Sequence, residues 1–421
     1  MPNLIHTLIA EFHAKIKHPP KLLERKQRLV QVDNKITVAI GMRRVGKTTC
    51  IFQKILSLLS KKQTSLEQIL YLNLEDDRLI PFSAKQLAEL IESFYTLYPK
   101  NHDRLCYLFL DEIQNIPDWP LLIRRLFDTK TVEIYLSGSS AKLLSKEIHT
   151  SLRGRAFSQE VWPFDFVEYF HATKQPLTEK LFSQKAHDQL FVLLKQYLEQ
   201  GGFPETLNMT IEQRRQTLQD YVDVVVMRDI IERHGITNVS LIKYMIKSLL
   251  KNASTGFSVN KFHNDLKSQG FSTAKNTLYD YLNYIQDAYL IFTVPLYSES
   301  IRKTQTNPRK IYAIDTGLVK AYSFGITKNL GHYFENMFYL DLKRQGYEVY
   351  YYLTKERYEI DFMAIDSKGT PKLFQIVWDI SDSKTLEREQ RALVSAEQEL
   401  GIKGTLITPT VYFENNWNAF I

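Results

Sequence analysis

The chain has 421 residues, 44% apolar and 24% charged, a balance that excludes a disordered protein and predicts two or three globular domains. With 54 Lys and Arg against 47 Asp and Glu, its net charge of +7 permits a nucleic-acid partner without requiring one. Two cysteines exclude a disulfide scaffold or multi-cysteine zinc site, and the lack of a long apolar run or signal-peptide core predicts a cytoplasmic protein without membrane contact.

The first part of the chain predicts an α/β domain. Residues 1–35 form a basic, helical lead-in, and residues 36–165 alternate short apolar runs with segments of helical spacing. Apolar runs of this kind are typical of parallel strands that are covered by helices on both faces. The predicted strands are 36–40, 69–74, 105–110 and 132–136.

Residues 41–48, GMRRVGKT, fit the phosphate-loop pattern G-x-x-x-x-G-K-[ST] between a predicted strand and a predicted helix. In such a loop the backbone N–H groups and the positive end of the helix face phosphate oxygens. Lys47 is expected to contact the β and γ phosphates of ATP, and the Thr48 hydroxyl to hold Mg²⁺. The expected nucleotide-binding residues of this loop are Gly41, Arg43, Arg44, Val45, Gly46, Lys47, Thr48 and Thr49.

Two carboxylates follow the strand at 105–110. Asp111 is predicted to bind Mg²⁺ together with Thr48, and Glu112 to polarise the attacking water. At the end of the next strand, Ser137 or Ser139 is a candidate sensor of the γ-phosphate, and a helix N-cap is an alternative role compatible with it. These positions predict catalysis of phosphoryl transfer to water.

Arginines follow in the stretch Ser151-Leu152-Arg153-Gly154-Arg155. A guanidinium near the γ-phosphate would stabilise transition-state charge, either in the same subunit or in a neighbour. The alternative is that Arg153 and Arg155 are solvated loop residues.

Eight motifs along the chain are considered together: GMRRVGKTT, NLEDDRL, LDEIQNIPDW, SGSSAKLLSKE, SLRGR, GGFPE, PRKIYAIDTGL and YEIDF. Their combination resembles one family, the prokaryotic AAA+ ATPases that carry a restriction-nuclease-like C-terminal domain of unknown function. The resemblance implies that the sensor strand lies between the phosphate-loop strand and the Asp-Glu strand. It implies that Lys47, Thr48, Asp111 and Glu112 form the nucleotide site, and that Arg155 is an arginine finger or sensor.

After the ATPase core, residues 166–240 predict a helical lid or linker, and residues 241–325 a winged helix with three helices and a strand pair. Ser272 or Thr273 is expected to cap the third helix, whose start offers Lys275 and Asn276 to a DNA groove. Arg302, Lys303, Arg309 and Lys310 are candidate phosphate contacts. The alternative is a winged helix that packs against protein.

Residues 326–421 resemble a nuclease-like α/β domain. Glu335, Asp361 and Gln375 stand where the restriction-nuclease fold places its metal site, but Gln375 replaces the second carboxylate and Val377 the lysine that activates water. The sequence therefore predicts an inactive nuclease-like domain.

The leading hypothesis is a Mg²⁺-dependent AAA+ ATPase that couples ATP to a winged-helix and nuclease-like module. A slow nucleotide switch, an ATP-gated DNA-binding regulator with little turnover and an ATP-dependent nuclease remain as alternatives. An unknown protein partner is also expected, and the sequence permits an oligomer without fixing its size.

Overall fold

The computed structural model of the chain describes residues 2–19, 23–139, 152–174, 177, 182–323, 330–379, 381 and 383–420. The chain divides into two compact units, Met1–Trp162 and Pro163–Ile421. The predicted lid, winged-helix and nuclease-like segments, residues 166–421, therefore fall entirely within the second unit.

The first unit is built on a five-stranded sheet in the order β2-β3-β4-β1-β5, with each neighbouring pair parallel. β1 and β3 are buried along their whole length, as a sheet covered on both faces requires. The predicted parallel sheet is confirmed, and the sensor strand β4 lies between β1 and β3. The strands are β1 Ile36–Ile40, β2 Ile69–Asn73, β3 Cys106–Asp111, β4 Val132–Gly138 and β5 Ala156–Glu160.

The helices of the first unit follow the amphipathic spacing of the sequence. In α2, residues Cys50, Ile51, Ile55 and Leu58 are buried, which is the face expected to cover the sheet. The helix begins at Lys47, immediately after the loop that leaves β1. The helices are α1 Pro2–Lys17, α2 Lys47–Ser60, α3 Ala84–Leu97 and α4 Trp119–Thr129.

The second unit begins with helices, as expected for residues 166–240. They are α5 Phe166–Ala172, α6 Gln184–Gln200 and α7 Ile211–Val224, which continues as a π-helical segment, Val225–Glu232.

Four further helices, the last of only six residues, and an antiparallel three-stranded sheet follow in residues 239–313. The strand order is β6-β8-β7, with β7 and β8 forming the predicted pair. The prediction that Ser272 or Thr273 caps the third helix is wrong: the N-cap is Ala274, whose backbone is extended and whose methyl side chain cannot accept a hydrogen bond from the helix. The elements are α8 Val239–Lys251, β6 Thr255–Phe257, α9 Val259–Ser268, α10 Lys275–Asp287, β7 Ile291–Val294, α11 Ile301–Thr306 and β8 Arg309–Ala313.

The C-terminal part is an α/β region with a mixed sheet in the order β12-β11-β10-β9. β11 and β12 are parallel, and the other neighbours are antiparallel. Its core packs Ile360, Met363 and Leu373 against Ala392 and Ala396. The elements are α12 Thr316–Tyr322, α13 Leu330–Arg344, β9 Glu348–Leu353, β10 Glu359–Ile365, β11 Pro371–Ile376, α14 Ser383–Leu400, β12 Gly404–Ile407 and α15 Pro409–Phe420.

Among the helices in the described part of the chain, none combines the length and apolar character needed to span a bilayer.

Candidate nucleotide-binding site

The loop between β1 and α2 has a backbone that only glycine tolerates at two points. Gly41 has φ +150°, and a Cβ there would lie 2.3 Å from the carbonyl oxygen of Val161. Gly46 has φ +99° and is the residue before the first turn of α2. Both conformations are rare for residues with side chains. The two glycines of the motif are therefore required by the shape of the loop.

Lys47 points back into this loop and is only 4% exposed. Its ammonium donates to the carbonyl oxygens of Gly41 and Met42, each at 3.1 Å. It also lies 3.6 Å from a carboxylate oxygen of Glu112. The Lys47 ammonium thus lies between the loop and the end of β3.

Asp111, the last residue of β3, is buried among hydroxyl groups. The Thr48 hydroxyl donates to Asp111 Oδ2 at 2.7 Å and the Tyr71 hydroxyl to the same oxygen at 3.2 Å, while Ser137 donates to Oδ1. Burial raises the pKa of Asp111 and the charge of Glu112 adds to this, against the lowering effect of these bonds and of Lys47. A buried carboxylate with a raised pKa is a group that gains from a nearby cation.

Glu112 has a left-handed backbone, φ +58°, which is uncommon outside glycine and is found at active sites. Its N–H donates to the Ser137 hydroxyl at 3.0 Å, and Gln114 Nε2 donates to its carboxylate at 2.5 Å. Burial raises the pKa of Glu112, but Lys47, Gln114 and Arg43 outweigh that effect, and the net pKa is lowered. Glu112 is therefore held as a carboxylate beside Lys47.

Ser137 joins the two carboxylates, since its hydroxyl contacts Asp111 and the backbone of Glu112. Ser139 is buried and lies 3.3 Å from Gln114 Nε2. The helix that either serine was expected to cap lies outside the described residues.

Arg25 is a residue of this site that the sequence analysis missed. It is 1% exposed, and its guanidinium donates to the carbonyl oxygens of Val45 at 2.6 Å and Trp162 at 2.7 Å. It therefore braces the loop from a segment that precedes β1. No sequence signal marks it, because it stands in a basic stretch beside Lys26 and Arg28.

The structure corrects the prediction that Arg155 belongs to the nucleotide site of its own chain. The Arg155 carbonyl accepts from Ile36 at the beginning of β1, whereas the phosphate loop follows the end of that strand. The two points are roughly 15 Å apart at the usual rise of a strand. The Arg155 guanidinium contacts Asp128 at 3.1 and 3.2 Å. Only the role in a neighbouring subunit stays a prediction, and Arg153 is an exposed residue beside it.

The residues that converge at the ends of β1 and β3 fit a magnesium nucleotide. Thr48 Oγ1 and Asp111 Oδ2 lie 2.7 Å apart and are oxygen ligands of the type that Mg²⁺ prefers. The half-buried Arg43 extends from the loop to Glu75, with a distance of 2.7 Å. Lys47 and the start of α2 supply the positive charge that phosphate oxygens need.

Comparisons with known proteins identify two regions of the chain. A family model described as "AAA domain" matches residues 33–170, and one described as "Domain of unknown function (DUF8612)" matches residues 192–329. Among solved structures, the Aeropyrum pernix ORC2 protein in complex with ADPNP and ADP has a TM-score of 0.37 at 12% identity, covering 76% of this chain and 92% of that one. A score this low says nothing about the ligands of this chain.

Two relatives are similar over most of the sequence. The uncharacterized protein MJ1544 of Methanocaldococcus jannaschii is 34% identical over 385 residues, which is 90% of this chain and 82% of the relative. An uncharacterized protein of Haemophilus influenzae is 28% identical over 345 residues, covering 80% of this chain and 82% of its own length. The chain therefore belongs to the family of prokaryotic AAA-domain proteins that includes MJ1544, in which a domain of unknown function follows the AAA domain.

Proposed function

We propose that the chain is a Mg²⁺-dependent ATPase. The observation that carries this proposal is the mutual contact of Lys47 with Glu112 and of Thr48 with Asp111, at 3.6 and 2.7 Å. The phosphate loop, the metal-binding oxygens and a candidate for activating water thus meet at one edge of the sheet.

Each residue has a role that follows from its chemistry. Lys47, now donating to two loop carbonyls, would transfer its hydrogen bonds to the β and γ phosphates of ATP. Thr48 and Asp111 would hold the metal, and bound Mg²⁺ would neutralise charge on the phosphate oxygens. Glu112, kept as a carboxylate by Lys47, would accept a hydrogen bond from the attacking water and orient it.

Two substitutions test the proposal. Lys47→Ala is expected to abolish ATP binding, whereas Glu112→Gln is expected to keep binding and to lower turnover by about 100-fold or more, because the base is lost. Binding is measured by titration with a fluorescent ATP analogue, and turnover by phosphate release. Glu92→Gln, which removes an exposed carboxylate on α3, is the control.

The outcomes separate the enzyme from the alternatives. Unchanged turnover in Glu112→Gln contradicts the assignment of the base, and unchanged binding in Lys47→Ala contradicts the whole proposal. Wild-type turnover below about one per hour, the range of an unassisted nucleotide switch, favours the slow switch over the enzyme.

A second candidate function is DNA binding by residues 239–313, the segment from α8 to β8. This segment has ten Lys and Arg against four Asp and Glu, although the second unit as a whole is balanced. Lys275, Asn276 and Tyr279 are exposed at the start of α10, in support of its proposed role as the helix of a winged-helix fold that enters the groove. The competing proposal is that this surface packs against protein.

Lys310 does not take part in this surface. It was predicted to contact phosphate, but only 4% of the residue is exposed and it contacts carboxylates. If DNA binds through α10, Lys275→Ala and Asn276→Ala should each lower the DNA affinity measured by gel shift. Lys251→Ala, at an exposed position on α8, is the control. Equal effects of the three substitutions would contradict it.

A further inference from the structure

Lys310 lies at the centre of a buried cluster of carboxylates in the second unit. Its ammonium is 2.9 Å from Asp361 Oδ1, 3.1 Å from Glu335 Oε1 and 2.8 Å from Glu359 Oε1. Lys310 is on β8, Glu335 is on α13, and both Glu359 and Asp361 are on β10. One cation therefore joins the three-stranded sheet to a helix and a strand of the C-terminal α/β region.

Several other polar atoms around this centre are hydrogen-bonded within the protein. The Tyr312 hydroxyl donates to Glu335 Oε1 at 2.6 Å, and the N–H of Ile376 donates to Asp361 Oδ2 at 3.0 Å. Gln375 accepts from the N–H of Asp361 at 3.1 Å and donates to Glu389 at 2.5 Å. The amide of Gln375 is thus engaged at both ends.

The residues do not fit the metal of a restriction-nuclease centre. A divalent metal binds carboxylate oxygens at about 2.0–2.6 Å. An ion that close to both Glu335 Oε1 and Asp361 Oδ1 would meet the ammonium that already contacts the same two atoms. Within the described residues, no group of three or more His, Cys, Asp or Glu is arranged to hold a metal.

The charge of the cluster is consistent with one resident cation. Burial raises the pKa of Glu335 to about 7, against the lowering effect of Lys310. The carboxylate of Glu359 is about half exposed, at 48%, and is therefore partly solvated. Lys310 and Glu335 are thus the most deeply buried members of the cluster, whereas 13% of the Asp361 side chain is exposed.

We propose that Lys310 takes the place of the metal in the Glu335–Asp361 centre. The centre is then a charge-balanced junction that fastens β8 to α13 and β10, and it does not carry out metal-dependent cleavage of nucleic acid. This proposal is independent of the nucleotide site in the first unit.

Manganese binding tests the proposal directly. Mn²⁺ alone is titrated, with free ion followed by electron paramagnetic resonance, into the full-length wild type, Asp361→Asn, Lys310→Met and the double variant. The wild type and Asp361→Asn are expected to bind the same amount of Mn²⁺, since any ion bound at Asp111 is bound by both proteins. Lys310→Met is expected to gain a site that the double variant lacks.

Thermal unfolding of the same four proteins provides a second readout. Each single substitution is expected to lower the melting temperature by on the order of 10 °C, because it removes one member of a buried ion pair and leaves the charge of the other less well compensated. The double variant is expected to lose clearly less than the sum of the two. Lys251→Met, which removes an exposed lysine of α8, is the matched control and should leave the melting temperature within about 2 °C.

Three results would overturn the proposal. Mn²⁺ binding by the wild type that Asp361→Asn removes would show that the centre is a metal site. The absence of a gained site in Lys310→Met would show that the ammonium does not take the metal's place. Strictly additive losses in the double variant would show that Lys310 and Asp361 do not act as a pair. If Lys310→Met does not fold, the comparison of wild type with Asp361→Asn decides alone.

Discussion

Two buried cations, Arg25 and Lys310, hold segments together that are far apart in the chain. Arg25 reaches Val45 and Trp162, which are 20 and 137 positions away. Burial of a charged group is costly unless its hydrogen bonds are made, so such a group fixes the geometry around it. In the first unit, the geometry fixed in this way is that of the phosphate loop.

Replacement of Arg25 is therefore expected to weaken nucleotide binding indirectly, because Arg25 acts on the phosphate loop and need not contact the nucleotide. Arg25→Met keeps the aliphatic part of the side chain and removes the bonds to Val45 and Trp162, and we expect ATP affinity to fall about 10-fold because the loop is less well ordered. Affinity is measured by fluorescence titration on protein whose folding is checked by thermal unfolding. Arg28→Met, which removes an exposed arginine paired with Glu24, serves as control. Equal affinities of the two variants would argue against a bracing role.

The sequence predicted the residues of the site that share a motif, and it missed those that act at long range. Lys47 and Thr48 follow from a loop pattern, and Asp111 and Glu112 from two carboxylates after a buried strand. Arg25 and Lys310 have no such pattern, because their partners are set by the packing of segments rather than by spacing along the chain. Lys310 was even predicted to contact phosphate, because it follows Arg302, Lys303 and Arg309 in a basic stretch of the sequence.

At the scale of elements, two motifs that are distant in sequence contact each other in the fold. The turn at Gly201-Gly202 contacts Asp315, which is the N-cap of α12: the N–H of Gly202 donates to Asp315 Oδ2 at 2.6 Å and that of Leu318 to Oδ1 at 3.2 Å. Burial raises the pKa of Asp315 to about 6, against the lowering effect of these bonds. The GGFPE and PRKIYAIDTGL motifs are thus explained by their mutual contact.

Gly202 also lies so close to the backbone of Phe164 that a single added methyl group is expected to lower the stability of the fold. A Cβ on Gly202 would lie 2.2 Å from the carbonyl oxygen of Phe164, so Gly202→Ala must displace backbone. We expect a loss of roughly 2–4 kcal/mol in the free energy of unfolding, as for other overpacked sites. Gly256→Ala in β6, where the nearest atom would be 3.7 Å away, is the matched control and should change stability little. Denaturant unfolding measures both, and equal losses would refute the steric explanation.

The pattern of apolar residues predicted strands well where most side chains are buried, as in β1 and the edge strand β2, and poorly where most are exposed or half-buried. β1 was predicted with its observed bounds, because all five residues are apolar or β-branched and fully buried. β5 was missed because it is an edge strand with Phe157 and Glu160 exposed, so it lacks a continuous apolar run. The short β6, only three residues, is held by pairing to β8, which local sequence does not reveal.

At the scale of the whole molecule, charge is distributed unevenly. The first unit has 24 Lys and Arg against 17 Asp and Glu and accounts for the entire net charge of +7, whereas the second has 30 of each. Within the second unit the excess of basic residues is confined to 239–313. The two proposed anionic ligands, ATP and DNA, would therefore be bound by different units.

If the chain is an ATP-gated DNA-binding regulator, nucleotide and DNA binding are coupled, and their effects on each other must be equal. Binding free energies are linked, so the factor by which a non-hydrolysable ATP analogue changes DNA affinity is the factor by which DNA changes affinity for that analogue. We expect a factor of about 5–150 in both directions, which is the usual range of such coupling. Gel-shift titrations with and without the analogue, and analogue titrations with and without DNA, measure the two factors, with Lys47→Ala as the control that should reduce the first to one. A factor of one in the wild type would mean that nucleotide and DNA bind independently, which contradicts the ATP-gated DNA-binding regulator.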